Sequence, residues 1–312
     1  VAMTVRLDMI NAASRARCLL GDSAALVAGF IGKQFNEDGG FKGRNGRSDL
    51  YYTVFGIEAL LVLNAEIDCE RIKTYLRQFG SGDELDFVHL TCLVRCWANI
   101  SESQNVAVDS SLRDEILRDI ETYRSADGGY SDSADARQGT AYASFLALGA
   151  YQDLRADMED PAALADSLEA LRTPDGAYSN DPTMKIGATP ATAAALTILH
   201  YLDQPIEEES ISWLLSQLHP KGGFVAVPVA GSYGIPDLLS TATALHALAL
   251  AGASTNRITE KCLDFLDSLW STEGAFCGSW ADPAGDCEYT YYGLLSLGHL
   301  SEAEDPSKGV GE

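Results

Sequence analysis

A glycine, small, aromatic triplet recurs along this chain and constrains its fold more than any other sequence feature. It occurs five times, as Gly39-Gly40-Phe41, Gly128-Gly129-Tyr130, Gly176-Ala177-Tyr178, Gly222-Gly223-Phe224 and Gly274-Ala275-Phe276. Successive copies start 89, 48, 46 and 52 residues apart, so the first interval contains two periods. A degenerate sixth copy is therefore expected near Gly80-Ser81-Gly82. A period of this length is typical of a chain built from stacked supersecondary units.

Each triplet lies between two segments of helical character. The segment before it carries one apolar stripe and one charged face, as in residues 211–218, and is typical of a surface helix. The segment after it is rich in Ala, Leu and Thr and apolar nearly all round, which is typical of a buried helix. The buried segments are predicted at residues 49–63, 86–100, 138–151, 190–202, 237–251 and 287–300.

Six helix pairs can form an open solenoid or a closed ring. The terminal repeats of a solenoid should carry polar capping faces. The last buried segment, from Tyr289 to Leu300, is as apolar as the middle ones, which favours closure. The sequence therefore predicts an all-α protein, an α/α toroid (α6/α6 barrel) of about six helix-hairpin repeats. It forms one domain over residues 1–300, followed by an acidic tail over residues 301–312.

Composition narrows the classes of partner. The 312 residues include 45 acidic and 22 basic side chains, a formal net charge of −23. Nucleic acid and anionic membranes require clustered Lys and Arg, so neither is an expected partner. We expect no membrane span, because no apolar run approaches the ~20 residues that one requires. The seven scattered cysteines and the lack of a signal-peptide pattern favour a reduced, cytoplasmic protein.

The glycine-aromatic turns, each leading into a buried helix, resemble those of the α/α-toroid superfamily, which contains protein prenyltransferase β subunits and class II terpene cyclases of the squalene-hopene type. The resemblance covers about residues 19–300. It implies an enzyme that binds an isoprenoid in the central cavity and performs prenyl transfer or acid-initiated cyclisation. An alternative is a non-catalytic or partner-dependent toroid subunit. A glycan-binding toroid is a third hypothesis, because one fold supports several chemistries.

The catalytic motifs of the superfamily are only partly present. Asp237 matches the aspartate of the prenyltransferase zinc motif, but Leu239 stands where the cysteine ligand belongs, and Tyr289-Thr290 replaces the His-Thr pair. Zinc is therefore not expected. The cyclases carry the motif Asp-x-Asp-Asp-Thr-Ala, which resembles residues 237–242 and is called the cyclase frame below. At its middle aspartate, which donates the proton, this chain has Leu239. In the sixth repeat, Glu288 stands at the position equivalent to this proton donor. The alternative is that Glu288 caps the start of a helix and has no catalytic role.

The first repeat resembles the diphosphate-binding segment of prenyltransferases. In residues 39–52, Arg44 and Arg47 would hold a diphosphate, together with Mg²⁺ if one is bound, and Asp49 would take the place of the metal-binding aspartate. Tyr51 and Tyr52 follow in the positions of the cysteine and tyrosine. The alternative is that both arginines pair with nearby carboxylates.

Further candidates lie on the predicted buried helices. His89 shares a helical face with Asp86, Cys92 and Cys96 and is a candidate metal ligand, although buried free cysteines are common in helical cores. Asp49, Asp86, Asp237 and Glu288 all stand where buried helices begin, and we expect them to project toward one cavity as catalytic carboxylates. We expect His200 and His246 to be hydrogen-bonded core residues. An aromatic cavity lining suited to a polyprenyl chain is predicted from Tyr51, Tyr52, Phe55, His89, Tyr142, Phe145, Tyr289 and Tyr292.

Overall fold

The computed structural model describes residues 3–301. Its α-helices are α1 (Val5–Ser14), α2 (Ala16–Leu20), α3 (Ser23–Lys33), α4 (Leu50–Val62), α5 (Cys69–Leu76), α6 (Phe87–Ser103), α7 (Ser110–Glu121), α8 (Ala141–Asp153), α9 (Pro161–Ser167), α10 (Thr189–Tyr201), α11 (Glu208–Ser216), α12 (Leu238–Leu250), α13 (Thr259–Leu269) and α14 (Cys287–Ser301). The short strands are β1 (Phe41–Lys42), β2 (Ser48–Asp49), β3 (Phe224–Val225), β4 (Pro236–Asp237), β5 (Cys277–Ser279) and β6 (Asp282–Gly285).

The even-numbered helices from α4 to α14 form a closed inner ring. Each packs against the next in chain order, and α14 packs back against α4. Helices α3, α5, α7, α9, α11 and α13 lie outside this ring, one before each inner helix. The predicted α/α toroid of six helix pairs is therefore confirmed, with inner-helix bounds within three residues of those predicted. The predicted tail over residues 301–312 lies outside the described residues except for Ser301, which ends α14.

The repeated triplets form the turns that join each outer helix to its inner partner. The first glycine of every triplet has positive φ, from 85° to 94°, which favours glycine. At Gly222 a Cβ would lie 1.8 Å from the carbonyl oxygen of Lys261, so only glycine fits there. The aromatic residue is buried in all five copies. In each triplet, the glycine therefore forms the turn, and the aromatic residue packs in the core between neighbouring repeats.

A hydroxyl on the inner helix fixes each aromatic turn. The backbone N–H of Phe41 donates to Thr53 Oγ1 at 3.0 Å, and the N–H of Phe224 donates to Thr241 Oγ1 at 2.9 Å. The same bond joins Tyr130 to Ser144, Tyr178 to Thr192 and Phe276 to Thr290. Each acceptor is the fourth residue after the N-cap of its inner helix. A buried N–H without an acceptor is costly, so the hydroxyl and the triplet form one structural unit.

The strands are short additions to these turns. β1 and β2 form an antiparallel pair in which Phe41 lies opposite Asp49. β3 to β6 form an antiparallel sheet in the order β3-β4-β5-β6, with Asp237 opposite both Phe224 and Ser279. Both sheets lie where inner helices begin, so they fix the approach of the chain to α4, α12 and α14.

Helix α1, which was not predicted, closes one end of the ring. The N–H of Val5 donates to Gln152 Oε1 at 2.8 Å, and Arg6 binds Asp153, Asn99 and Glu102, all near the carboxyl ends of α8 and α6. The amino-terminal ends of the inner helices therefore surround the opposite end, which we call the mouth. No helix within residues 3–301 has both the length and the apolar character needed to cross a membrane.

Candidate functional site

A central cavity runs from the mouth down to α1. It contains about 1080 Å³ of empty space, its open end included. Every inner helix contributes to the wall. The lining side chains and glycine are Val5, Arg6 and Met9 of α1, with Tyr51, Val54, Phe55, Thr91, Cys92, Arg95, Tyr142, Phe145, Leu146, Gly149, Ala150, Asp153, Pro190, Ala193, Ala194, Thr197, Leu239, Thr243, His246 and Tyr292. A mostly apolar wall with a few polar groups is typical of a site for a small organic ligand.

In four of the six inner helices, the second residue after the N-cap lines the wall at the mouth. In this register Tyr51, Tyr142, Pro190 and Leu239 line the cavity. Leu239 therefore occupies the wall position where the cyclase frame has its acid. Glu288 has the same register on α14 but lies behind Tyr51, whose hydroxyl donates to Glu288 Oε1 at 2.7 Å. Tyr51 connects the buried carboxyl to the cavity, because it touches both.

Glu288 is a buried carboxyl group with a raised pKa. Its side chain lies in the wall between α4 and α14, and the residue is 8% exposed. Burial raises the pKa of Glu288 to about 7, and the charge of Asp286 acts in the same direction, while the hydrogen bond from Tyr51 and the charge of Arg44 oppose it. Near neutral pH a large fraction of Glu288 is therefore protonated. This group can donate a proton, which an ordinary surface carboxylate cannot.

The prediction that four carboxylates project into the cavity is wrong: Glu288 lies behind Tyr51, and the three aspartates cap helices. Asp49, Asp86 and Asp237 are N-caps, and they accept backbone N–H groups of Tyr51, His89 and Ser240, respectively. None of the three lines the cavity. An N-cap aspartate satisfies an otherwise orphaned helix N–H, which explains why acids recur where inner helices begin. On α14 the cap is Asp286, which accepts the N–H of Tyr289, so Glu288 does not have the alternative capping role.

The two arginines proposed to hold a diphosphate lie outside the cavity. Arg44 pairs with Asp282 at 2.7 Å and with Asp286 at 3.0 Å, which raises its pKa. The ion-pair alternative is therefore the correct one for Arg44. Arg47 is exposed on the loop between β1 and β2, and its side chain has no ion pair within residues 3–301. The structure does not bring Arg44 and Arg47 together as an anion site.

His89 pairs with two of the capping aspartates. Its Nδ1 lies 2.8 Å from Asp86 Oδ2, and its Nε2 lies 3.7 Å from Asp49 Oδ2. The carboxylates of Asp49 and Asp86 raise the pKa of His89 to about 9, so the ring is protonated at neutral pH. Cys92 and Cys96 are buried in the wall, and burial raises the pKa of both thiols. In the described part of the chain no three His, Cys, Asp or Glu side chains are placed to hold a metal ion. The predicted metal role of His89 is therefore not supported.

Comparison with known proteins agrees with this architecture. The model of the prenyltransferase alpha-alpha toroid domain matches residues 7–87, 77–205 and 191–308. The chain belongs to this toroid family. A search of curated proteins finds no significant match to the chain.

Solved structures similar to this toroid have different activities. A type II terpene cyclase from Scytonema in complex with merosterolic acid A superposes with a TM-score of 0.61 at 15% identity, over 92% of this chain and 98% of the other. An α-1,6-mannanase from Salegentibacter sp. gives 0.60 at 14% identity, over 91% and 99%. A Candida albicans protein geranylgeranyltransferase-I complexed with GGPP gives 0.53 at 16% identity, over 92% and 90%. These similarities show the fold, and they do not distinguish the activities.

Only some of the aromatic residues predicted to line the cavity are found in its wall. Tyr51, Tyr142 and Tyr292 line it, together with Phe55 and Phe145. Two predicted binding residues do not. Tyr52 packs edge-on against Tyr51 with ring centroids 5.6 Å apart, and Tyr289 lies beneath Arg44, whose guanidinium carbon is 5.2 Å from the ring centre. His89 also lies outside the wall.

Sequence reasoning missed the polar lower part of the toroid cavity. Arg95 lines the cavity and is held by Glu58, with Nε to Oε1 at 2.5 Å and Nη2 to Oε2 at 2.8 Å. A glutamate and an arginine in otherwise apolar helices were the available signal, because such groups are buried only when they are paired. His246 is a hydrogen-bonded core residue as predicted, but His200 is exposed at the end of α10, so the second histidine prediction is wrong.

Proposed function

We propose that this toroid binds an isoprenoid in its central cavity and cyclises it, with Glu288 as the acid that starts the reaction. The observation that carries the proposal is the buried Glu288 carboxyl, which accepts a hydrogen bond at 2.7 Å from the hydroxyl of Tyr51, a residue of the cavity wall. Its pKa of about 7 keeps a protonated population at neutral pH. A cytoplasmic location is part of this proposal.

The first step is a proton transfer through Tyr51. When Glu288 is protonated, its hydrogen bond with Tyr51 reverses, so that the carboxyl O–H donates to Tyr51 Oη while the tyrosine O–H passes its own proton to an alkene carbon at the mouth of the cavity. The π electrons of that alkene form the new C–H bond, and the adjacent carbon becomes a cation. A second alkene attacks this cation, which closes a ring. Loss of a proton from the final cation restores the proton count, so the overall reaction is an isomerisation.

The walls support this chemistry below the mouth. Phe55, Phe145 and Tyr292 present aromatic faces or edges to the cavity, and aromatic faces stabilise nearby cations. The apolar side chains around them exclude water, which would otherwise trap the cation. Prenyl transfer has less support, because Arg44 is neutralised by two aspartates and Arg47 lies outside the cavity.

The experiment is product analysis after incubation with geranylgeranyl diphosphate, geranylgeraniol or squalene. We expect cyclic products from at least one of them. Glu288→Gln should lower kcat by about 100-fold or more, because general acid catalysis typically contributes 10²–10⁴-fold. Tyr51→Phe should have a similar effect. Exposed Glu37 offers a matched control, and Glu37→Gln should retain full activity. Cyclisation that is unchanged in Glu288→Gln would place the acid elsewhere.

The second candidate is a toroid that binds an isoprenoid without transforming it, alone or with a partner subunit. Leu239 favours it, because a leucine lines the wall where the cyclase frame has its proton donor. This candidate would be favoured over cyclisation if the protein binds any of the same three compounds tightly but forms no product, whether or not a partner subunit is present.

A further inference from the structure

The cavity wall changes from apolar to polar below the aromatic zone. Arg95, Thr197 and His246 are each the ninth residue after the N-cap of α6, α10 and α12, respectively, so they lie at one depth. At 1.5 Å per residue this level is about 13 Å below the N-caps and about 10 Å below Glu288. The wall between the two levels contains six Ala, Val, Phe and Leu side chains together with Thr91, Cys92, Thr243 and Tyr292. The hydroxyls of the two threonines donate to backbone carbonyls of their own helices.

His246 has a ring nitrogen without a partner at this level. The residue is 4% exposed, and its Nδ1 lies 3.1 Å from Nε2 of His299. Its Nε2 is buried and has no hydrogen-bond partner within residues 3–301. Burial lowers the pKa of His246 to about 4, so the ring is neutral. Buried polar atoms are nearly always satisfied, and an unsatisfied one in a cavity wall points to a missing ligand group.

Arg95 offers a second polar group with an unused hydrogen-bond donor. Its side chain is 19% exposed, although it lies inside the ring. Glu58 accepts from Nε and Nη2, and Tyr291 lies near the Arg95 side chain. No hydrogen bond of Nη1 is formed with a residue between 3 and 301, so Nη1 can donate to a ligand. The guanidinium and the His246 ring lie close enough that the charge of Arg95 contributes to the lowered pKa of His246.

Charge at the closed end selects the kind of acceptor. Beside Arg95 and Glu58, the network holds Arg6 with Asp153 at 2.7 Å and with Glu102 at 2.7 Å. Glu58 and Asp153 are buried, whereas Glu102 is 38% exposed, so the two arginines face two buried carboxylates and the buried charges balance. An anionic ligand group would add an unbalanced charge in a buried region, where charge is costly. A neutral oxygen avoids that cost and still accepts from Arg95.

We propose that the lower end of the cavity binds the hydroxyl of an oxygenated isoprenoid, with Arg95 and His246 as its two hydrogen-bond partners. A hydroxyl suits both groups, because it accepts from Arg95 Nη1 and either donates to or accepts from His246 Nε2. This inference rests on the proposed function, since it assigns the substrate class of the same cavity: an isoprenoid alcohol whose oxygen lies about 10 Å below its reacting alkene.

The test is equilibrium dialysis with three matched C20 probes: geranylgeraniol, the hydrocarbon with methyl in place of hydroxymethyl, and geranylgeranoic acid. We expect the alcohol to bind at least 10-fold more tightly than the other two. His246→Phe should reduce alcohol affinity to that of the hydrocarbon and leave hydrocarbon affinity unchanged. Arg95→Lys, which keeps a charge opposite Glu58, should weaken alcohol binding in the same way. His200→Phe, on the exposed end of α10, is the matched control and should bind all three probes as the parent protein does.

Each other outcome has a defined meaning. Equal binding of alcohol and hydrocarbon, or alcohol binding that His246→Phe and Arg95→Lys do not change, overturns the hydroxyl site while the isoprenoid function stands. Tightest binding by the acid also overturns it, because that result requires an anion site. If none of the probes binds, the proposed function itself fails. Circular dichroism of each variant establishes that it is folded before binding is measured.

Discussion

Replacing Glu288 by glutamine should change the stability of the protein in a pH-dependent way. The glutamine keeps the shape and an oxygen that can accept from Tyr51, but it cannot ionise. The folded-state pKa of Glu288 is about 7 and the ordinary value is 4.5, so the folded state binds its proton more tightly than the unfolded state does. For a raised carboxyl pKa, stability is fully present below the unfolded pKa and is lost as pH rises toward the folded pKa.

The magnitude follows from the two pKa values. At pH 5 ionisation of Glu288 costs the parent protein about 0.8 kcal/mol relative to the variant, and at pH 8 it costs about 3.3 kcal/mol. The free energy of unfolding of Glu288→Gln minus that of the parent should therefore increase by about 2.5 kcal/mol between pH 5 and pH 8. Taking this difference cancels the other titrating groups, which both proteins share.

The assay is urea unfolding at pH 5, 6, 7 and 8, followed by circular dichroism. A difference between the two proteins that stays constant within about 0.5 kcal/mol over this range would refute the reasoning, because Glu288 would then titrate as an ordinary carboxyl. Cyclisation activity should show the matching profile, with kcat/KM falling above pH 7 as the acid ionises. If the pH midpoint of the stability difference agrees with the pH midpoint of kcat/KM, the same buried Glu288 carboxyl controls both stability and catalysis.

Three further predictions concern the turns and the capping network. Gly222→Ala should lower the free energy of unfolding by about 2 kcal/mol or more in urea titrations, because its Cβ would overlap the carbonyl of the next outer helix and its φ is 88°. Thr241→Val should cost about 1–3 kcal/mol in the same assay, because it leaves the buried N–H of Phe224 without an acceptor. Arg44→Gln should move the pH midpoint of activity upward, because Arg44 lowers the pKa of Glu288.

Matched controls are available for the turn variants. Gly46 also has a positive φ, 82°, but no atom lies within 4 Å of its Cβ position, so Gly46→Ala should cost about 1 kcal/mol from backbone strain alone. Equal losses for Gly46→Ala and Gly222→Ala would contradict the steric argument. Thr53→Val repeats the loss of a turn hydroxyl in the first repeat and should resemble Thr241→Val. Retained stability in both would show that the turn N–H groups find other acceptors.

The helices of the ring could be predicted because their signals are local and repeated. A glycine with positive φ, followed by an aromatic residue and then an apolar helix, recurs with little change, so each copy supports the reading of the others. Ring closure could also be predicted, because an end repeat without a polar face must be covered. Helix α1 could not, since it belongs to no repeat and its contacts, such as Arg6 with Asp153, join residues 147 positions apart.

The site was harder to predict because residues at one end of a helix can have opposite roles. Asp237 and Glu288 both stand where an inner helix begins, but Asp237 caps the helix and Glu288 is buried two residues after the cap. A difference of two positions in register decides between the two roles. The pairing of Arg44 with Asp282 and Asp286 joins the first repeat to the last, so it depends on closure of the ring and is not visible in either segment alone.

At the start of the inner helices of this toroid, one position contributes to helix stability, and another holds the residues proposed for the chemistry. The N-cap position satisfies the helix, and aspartate serves there in α4, α6, α12 and α14. The position two residues later holds Tyr51 and Leu239, which line the cavity in α4 and α12, and Glu288, which lies behind Tyr51 in α14. A helix N-terminus alone favours an ionised carboxylate by about 0.3–1 kcal/mol, which would lower the pKa of Glu288. The raised pKa therefore requires burial to exceed the helix contribution, with the charge of the Asp286 cap acting in the same direction. An acid at this second position can remain protonated because burial outweighs the helix contribution, and the cap before it leaves this acid without a capping role.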